Sequence, residues 1–155
     1  MTARRPSDSA VETTHLVLPP DTNAHGTVFG GRIMQWMDIA AGIAAGRHCG
    51  RGVVTAAVDE LVFARPIRMG DVVIIKASVN HTGRTSMEVG VRVEREDPSS
   101  GRREHCLTGY FTFVAVDTAG HPMPAPQVVP ETQDEQRRFG KGKIRREKRL
   151  AARPG

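Results

Sequence analysis

From Met87 to Glu94 the chain alternates with a period of two: Met87, Val89, Val91 and Val93 are apolar, and Glu88, Gly90, Arg92 and Glu94 fall between or after them. That pattern predicts a strand with one buried and one wet face. Val-rich stretches of similar character are "VVTAAVDELVFA" from Val53, "DVVIIKASVNH" from Asp71 and "RREHCLTGYFTFVAVD" from Arg102. The breaks between them are turn chemistry, with Pro66 and Gly70-Asp71 in the first, "TGR" in the second and "PSSG" in the third. Upstream, "TTHLVLPPDTN" predicts a short first strand stopped by Pro19-Pro20. The segment from about Gly31 to Arg47 is different. Its Ile, Met, Trp and Ala residues occupy every side of a 3.6-residue period, which predicts a helix buried all round. The proline-rich Gly120–Pro130 stretch is the exit from the domain.

The predicted order is a strand, one buried helix, then three or four long antiparallel strands. A lone helix that is apolar on all sides requires a sheet curled around it and a second body over its remaining face, which another copy of the chain could supply. A length of 155 residues suits one such domain, over residues 11–130, with a flexible N-terminus at 1–10. Residues 131–155 form a basic tail, expected to be disordered or helical in part, because Gly140 and Gly142 interrupt it and its apolar residues are sparse.

The net charge of +5 belongs to that tail. Residues 131–155 carry nine Lys/Arg against four Asp/Glu, and the remaining 130 residues carry thirteen of each. The fold itself is therefore balanced, which weakens a nucleic-acid-binding reading. No apolar run is long enough for a membrane span and the first residues have no signal-peptide core, so a cytoplasmic location is expected. Cys49 and Cys106 lack C-x-x-C spacing and read as reduced packing residues. The histidines show no metal-binding spacing, so no metal or other cofactor is expected.

Asp38 is the anomaly of the apolar helix. A carboxylate there is either structural, capping a loop or pairing with an arginine, or is a general base held in a restricted site. Gly30-Gly31 at the helix start permit close approach to unpaired backbone N–H groups, which can bind a carbonyl oxygen that becomes an oxyanion. No G-x-S-x-G nucleophile elbow is present, and "GKGKI" lacks the Walker spacing, so serine-hydrolase and P-loop chemistry are excluded.

Four stretches taken together, "PPDTNAHGTVFGGRIMQWMDIAAGIAA", "VVTAAVDELVFARPIRMGDVV", "HTGRTSMEVGVRVERED" and "TGYFTFVAVD", resemble the hotdog-fold acyl-CoA thioesterases of the cytosolic acyl-CoA hydrolase type. The resemblance runs from about Leu16 to Asp117. It implies an α+β hotdog fold, an antiparallel sheet wrapped around a long central helix, dimerised and commonly assembled as a trimer of dimers. It further implies that Asn23 and Asp38 form a catalytic pair contributed by opposite protomers, with Asp38 acting as general base or nucleophile. Gly30 and Gly31 would hold the thioester oxygen, and Arg84 with Thr85 and Ser86 would meet the phosphates of coenzyme A. Arg65, Arg68 and Lys76 are further candidates for those phosphates, whereas His25 is left outside the catalytic set. For Asn23 the residues alone favour an Asx-turn. Two rivals stay open: a hydratase-type hotdog enzyme, disfavoured because the nearest helix histidine is His48 at its end, and a non-catalytic acyl-CoA binder or a nucleic-acid binder using the tail.

Overall fold

In the computed structural model, which describes residues 2–153, the long helix α2 runs Gly30–Cys49 and lies along one face of a five-stranded antiparallel sheet. The strands are β1 (Val11–Leu16), β2 (Val53–Val58), β3 (Val72–Thr82), β4 (Ser86–Glu96) and β5 (Arg103–Ala115), ordered β1-β3-β4-β5-β2. The β3, β4 and β5 strands are long because tight turns at Gly83–Thr85 and around Gly101 join them as a meander. The apolar half of the period-two reading of β4 holds, since Met87, Val89, Val91 and Val93 are fully buried and face α2 together with Val73, Ile75 and Val79 of β3, but the other face is not wet at Glu88, which is buried.

One face of α2 supplies the other half of that core. Ile33, Met37, Ala40, Ala41, Ala44 and Ala45 are all fully buried, at the three- and four-residue spacing of a single stripe. The opposite stripe remains open in the single chain, with Ile39 and Ile43 each more than two-fifths exposed, and Met34 near the helix start is as exposed. Gly50, at φ 71°, ends the helix in the left-handed conformation that glycine adopts without strain.

Three sequence expectations require correction. The β2 strand stops at Val58 instead of continuing to Ala64, after a bulge between Thr55 and Ala57. Beyond it the chain keeps only isolated bonds to β5, from the Asp59 N–H to the Tyr110 carbonyl (3.0 Å) and from the Ala64 N–H to the Cys106 carbonyl (2.9 Å).

Residues 4–9 make defined contacts where a flexible segment was expected. The short helix α1 (Pro6–Ser9) packs on β3, where a bulge between Val79 and His81 frees the Val79 N–H and Ser9 Oγ accepts it at 2.9 Å. Arg4 bridges in parallel to Val128.

The tail is a 20-residue helix, α3 (Gln133–Ala152), where disorder or partial helix was expected. Its start is a capping box: the Glu135 N–H donates to Thr132 Oγ1 (3.1 Å) and Glu135 Oε1 accepts from the Thr132 N–H (3.0 Å). It docks on the outer face of the sheet through charge. Arg145 donates twice to Glu88, at 2.7 and 2.9 Å, over a carboxylate only 1% exposed, and Arg149 donates to Asp59 at 3.0 Å. The Arg145 guanidinium also lies 3.5 Å from the centre of the Tyr110 ring. The two glycines of α3 differ in kind. Nothing lies near Gly140, but a Cβ on Gly142 would meet His81 Cβ at 2.8 Å and Glu88 Oε1 at 2.9 Å, so glycine is what lets the helix seat.

Candidate active site

Asp38 occupies the third turn of α2, about 12 Å from the helix start at 1.5 Å per residue, on the border between the buried and open stripes. It is half-buried and has a partner: Thr55 Oγ1 donates to Asp38 Oδ1 at 2.8 Å. The bulge between Thr55 and Ala57 explains the contact, since an extra residue in an edge strand re-aims the side chain beside it. One carboxylate oxygen is thereby fixed and the other is left for a different donor. No arginine pairs with Asp38 among the described residues, so the arginine-paired structural reading fails.

The loop preceding α2 is held in place by Asp21. Its carbonyl accepts from the Phe29 N–H (2.7 Å), and its carboxylate accepts from the Leu18 N–H (2.9 Å) and faces Arg32 Nε at 3.2 Å. Within this loop Asn23 is exposed and locally bonded. Its Oδ1 accepts from the N–H of His25 (2.9 Å) and of Thr27 (3.3 Å), and its Nδ2 donates to Thr27 Oγ1 (2.9 Å). This is the Asx-turn that the residues alone favoured, and it fixes the amide plane while leaving one Nδ2 hydrogen free to point outward. Within one chain no hydrogen bond joins Asn23 to Asp38.

At the start of α2, Phe29 provides no side-chain cap, and the Arg32 and Ile33 N–H groups both turn to the Phe29 carbonyl. The Gly30 and Gly31 N–H groups have no intrahelical acceptor. A Cβ at Gly31 would sit 2.7 Å from the exposed Phe29 ring, which would have to turn aside to admit it.

Arg84 and Thr85 lie in the β3–β4 turn and Ser86 begins β4, with Arg84 exposed. Ser86 pairs with Val114, which pairs with Val54 beside Thr55, so the turn lies two strands from the Asp38 contact, about 10 Å at the usual strand spacing. Lys76 is on the outer sheet face, 3.1 Å from Glu94, and Arg65 faces Glu104 at 3.7 Å, so neither is directed toward Asp38. His48 is fully buried, and its Nε2 is 2.7 Å from the Pro126 carbonyl; burial lowers its pKa. It is a packing residue with no access to Asp38, which removes the support for a hydratase-type reading. Burial likewise raises the pKa of both free thiols, Cys49 and Cys106.

Asp38 borders a bare apolar surface. β2 is an edge strand with Val54 and Val58 exposed, next to the open α2 stripe and to Phe29, Val62 and Phe63. Asp38, Gly30 and Gly31 are candidates from the residues themselves, and Asn23 only from the family resemblance. Thr55 is not, since a threonine in a Val-rich strand carries no signal until the strand is placed against the helix.

The Thioesterase superfamily profile matches residues 25–101. An uncharacterized acyl-CoA thioester hydrolase of Bacillus subtilis is 46% identical over 128 residues, covering 83% of this chain and 74% of its own length. The mouse cytosolic acyl coenzyme A thioester hydrolase is 44% identical over 144 residues, 91% of this chain but 38% of the mouse protein. Among solved structures, an apo-hexameric acyl-CoA thioesterase superposes with a TM-score of 0.92 at 40% identity, over 99% of this chain and all of its own. The Staphylococcus aureus acyl-CoA hydrolase, solved with butyryl coenzyme A and coenzyme A, gives a TM-score of 0.91 at 37% identity, over 96% and 91% of the two chains. Alanine variants of that enzyme at an asparagine, an aspartate and a threonine have also been solved. Those three positions are 15 and then 17 residues apart, the same spacing as Asn23, Asp38 and Thr55. The likeness fixes the architecture as the hotdog fold.

Proposed function

The chain belongs to the thioesterase superfamily, and from that we propose that it hydrolyses acyl-CoA to a free carboxylic acid and coenzyme A. The observation that carries the reading is the Asp38–Thr55 contact at the open edge of α2, a fixed carboxylate with one free oxygen next to an apolar surface awaiting a partner. The matching spacing of the three varied positions in the S. aureus enzyme supports it.

In this reading a second copy covers the β2 edge and the open stripe of α2, and further association gives a homohexamer such as the one its structural neighbour forms. Asn23 of one protomer then faces Asp38 of the other. The thioester carbonyl oxygen sits at the Gly30 and Gly31 N–H groups, where the helix dipole favours the negative charge that develops. Asp38 takes a proton from water as the water oxygen bonds to the carbonyl carbon, or attacks that carbon itself. In the first route the C–S bond breaks and the coenzyme A sulfur leaves with the proton that Asp38 took from water; in the second, C–S cleavage leaves an acyl–Asp38 anhydride, which water then hydrolyses to the free acid, restoring the carboxylate and supplying the thiol's proton. Thr55 holds Asp38 in its productive rotamer, and the free Asn23 N–H orients the water or the carbonyl. Arg84, Thr85 and Ser86 meet the coenzyme A phosphates. No described helix is long and apolar enough to cross a membrane, and the reading places the enzyme in the cytoplasm.

The test is hydrolysis over an acyl-CoA chain-length series with released thiol as the readout. Asp38→Asn and Asn23→Ala should each lower kcat by about a hundredfold or more with the assembly intact. Thr55→Ala should lower it less, since Asp38 keeps its chemistry and loses only its orientation. Verified heterodimers of the Asp38 and Asn23 variants should regain activity, because one of their two shared sites is complete. Near-normal turnover by Asp38→Asn would sink the assignment.

A further inference from the structure

Beyond Val58 the chain follows the edge of β5 without forming a strand, and its side chains divide between the two faces of the sheet. Its backbone is pinned at each end, by the Asp59 and Ala64 N–H groups, and residues 60–63 make no backbone hydrogen bond among the described residues. On the inner face Leu61 fills the space that Gly109 leaves open: a Cβ there would meet Leu61 Cδ2 at 2.5 Å and Met37 Cε at 2.9 Å. Next along, Phe63 reaches the start of α2, where its Cζ would lie 3.9 Å from a Cβ on Gly30. Val62 and Phe63 therefore form the bare apolar surface beside the Gly30 and Gly31 N–H groups.

On the outer face the same segment is tied to α3. Arg149 Nη1 donates to both carboxylate oxygens of Asp59, at 3.0 and 3.3 Å, and the two side chains are 25% and 23% exposed. A charge-assisted contact shielded to that extent restrains its partners more than an open surface pair does. The helix does not need this contact to dock. Arg145 holds Glu88 by two hydrogen bonds, and Phe139 lies against the His81 ring, both independently of Asp59. Glu88, 3.7 Å from Arg149, keeps its closer partner Arg145 if Arg149 is removed. What Arg149 adds is a restraint on the segment that runs from Asp59 past Leu61 to Phe63, across the sheet from the helix that supplies it.

We infer that Arg149 is a positioning residue for the thioester site: through Asp59 it fixes the 59–64 segment, and the segment holds Val62 and Phe63 as an apolar wall beside Gly30. The inference rests on the hydrolase reading above. Thr55 lies on β2 ahead of the segment, so the Asp38–Thr55 contact is untouched when the segment loosens. The wall meets the apolar part of the substrate and no reacting atom. Loosening it therefore weakens binding of the acyl group, increasingly so as the acyl chain lengthens, and leaves the chemical step alone.

The experiment joins kinetics to amide hydrogen exchange on the full chain, using the shortest and the longest acyl-CoA that the wild type turns over. For the longest, R149Q should raise KM about three- to tenfold with kcat unchanged; for the shortest, KM should move less. D59N should do the same, and R149Q/D59N should be no worse than either alone, because both remove one contact. R149K should restore part of the loss. Amide exchange should quicken at residues 60–63 in R149Q while α2 and residues 133–145 of α3 stay protected. K148Q, which removes the same charge from an exposed neighbour, should change neither readout. An unchanged KM in R149Q, an equal rise in K148Q, a fall in kcat alone, or additive losses in the double variant would each overturn the proposal. Unchanged exchange at 60–63 would overturn it whatever the turnover. Absence of hydrolysis by the wild type at every chain length would overturn the hydrolase reading instead, and faster exchange at 60–63 would still support the link from Arg149 to the segment.

Discussion

The sheet carries a 20-residue helix on each face, and the two are attached by different physics. On the inner face α2 is an apolar stripe seated against apolar strands, and its position is spread over many small contacts. On the outer face α3 is strongly charged and is held by the Arg145–Glu88 fork and the Arg149–Asp59 pair, with Phe139 against the His81 ring as its apolar contact. Burying an apolar stripe requires only a matching apolar surface. Burying a carboxylate such as Glu88 is costly unless one specific cation reaches it, so α3 docks by pairing and α2 by packing.

The comparison can be broken at either helix. Met37→Ala, at a fully buried position of α2, should cost about 2–5 kcal/mol of folding free energy in denaturant titrations, as expected for a large-to-small change in a dense core. Arg145→Ala should cost about 3 kcal/mol, because it strands Glu88 without its partner. Unlike Met37→Ala, it should raise amide exchange along α3 before the sheet is affected. Glu88→Gln in the Arg145→Ala background should recover part of the loss by removing the uncompensated charge, and no recovery would count against attachment by pairing.

Smaller effects sharpen the contrast within α3. Gly142→Ala should lower the melting temperature, since the added Cβ meets His81 and Glu88, whereas Gly140→Ala should raise stability by up to about 1 kcal/mol through helix propensity alone. Equal effects at the two glycines would mean that α3 does not sit where described. The smallest expected effect is a pH slope. Burial lowers the pKa of His48, so its neutral form is favoured in the fold and stability is lost as pH falls from its ordinary value near 6.5 toward the lowered one. His48→Gln should flatten that acid limb, measured as the midpoint of denaturation against pH.

The same contrast sets what could be read beforehand. The period-two strands and the all-apolar helix were visible because their signals repeat locally, and Asp38 stood out against that background. The capping box at Thr132 and Glu135 was also in the sequence, but two glycines and sparse apolar residues outweighed it, and the partner that makes one glycine useful is on a distant strand. Thr55 was hidden for a similar reason, its meaning fixed by a bulge 17 residues from Asp38.

By itself the sequence determined the order of the five strands and the central helix, the need for a sheet around α2, and the candidates Asp38, Gly30 and Gly31, with Asn23 added by the family resemblance. Only the tertiary structure decided that Thr55 holds Asp38 and that the tail is a docked helix. Hydrophobic burial follows a local period that a single stretch of chain displays. Hydrogen bonds and ion pairs need a particular atom within about 3 Å, and which atom arrives there is settled only when distant segments meet.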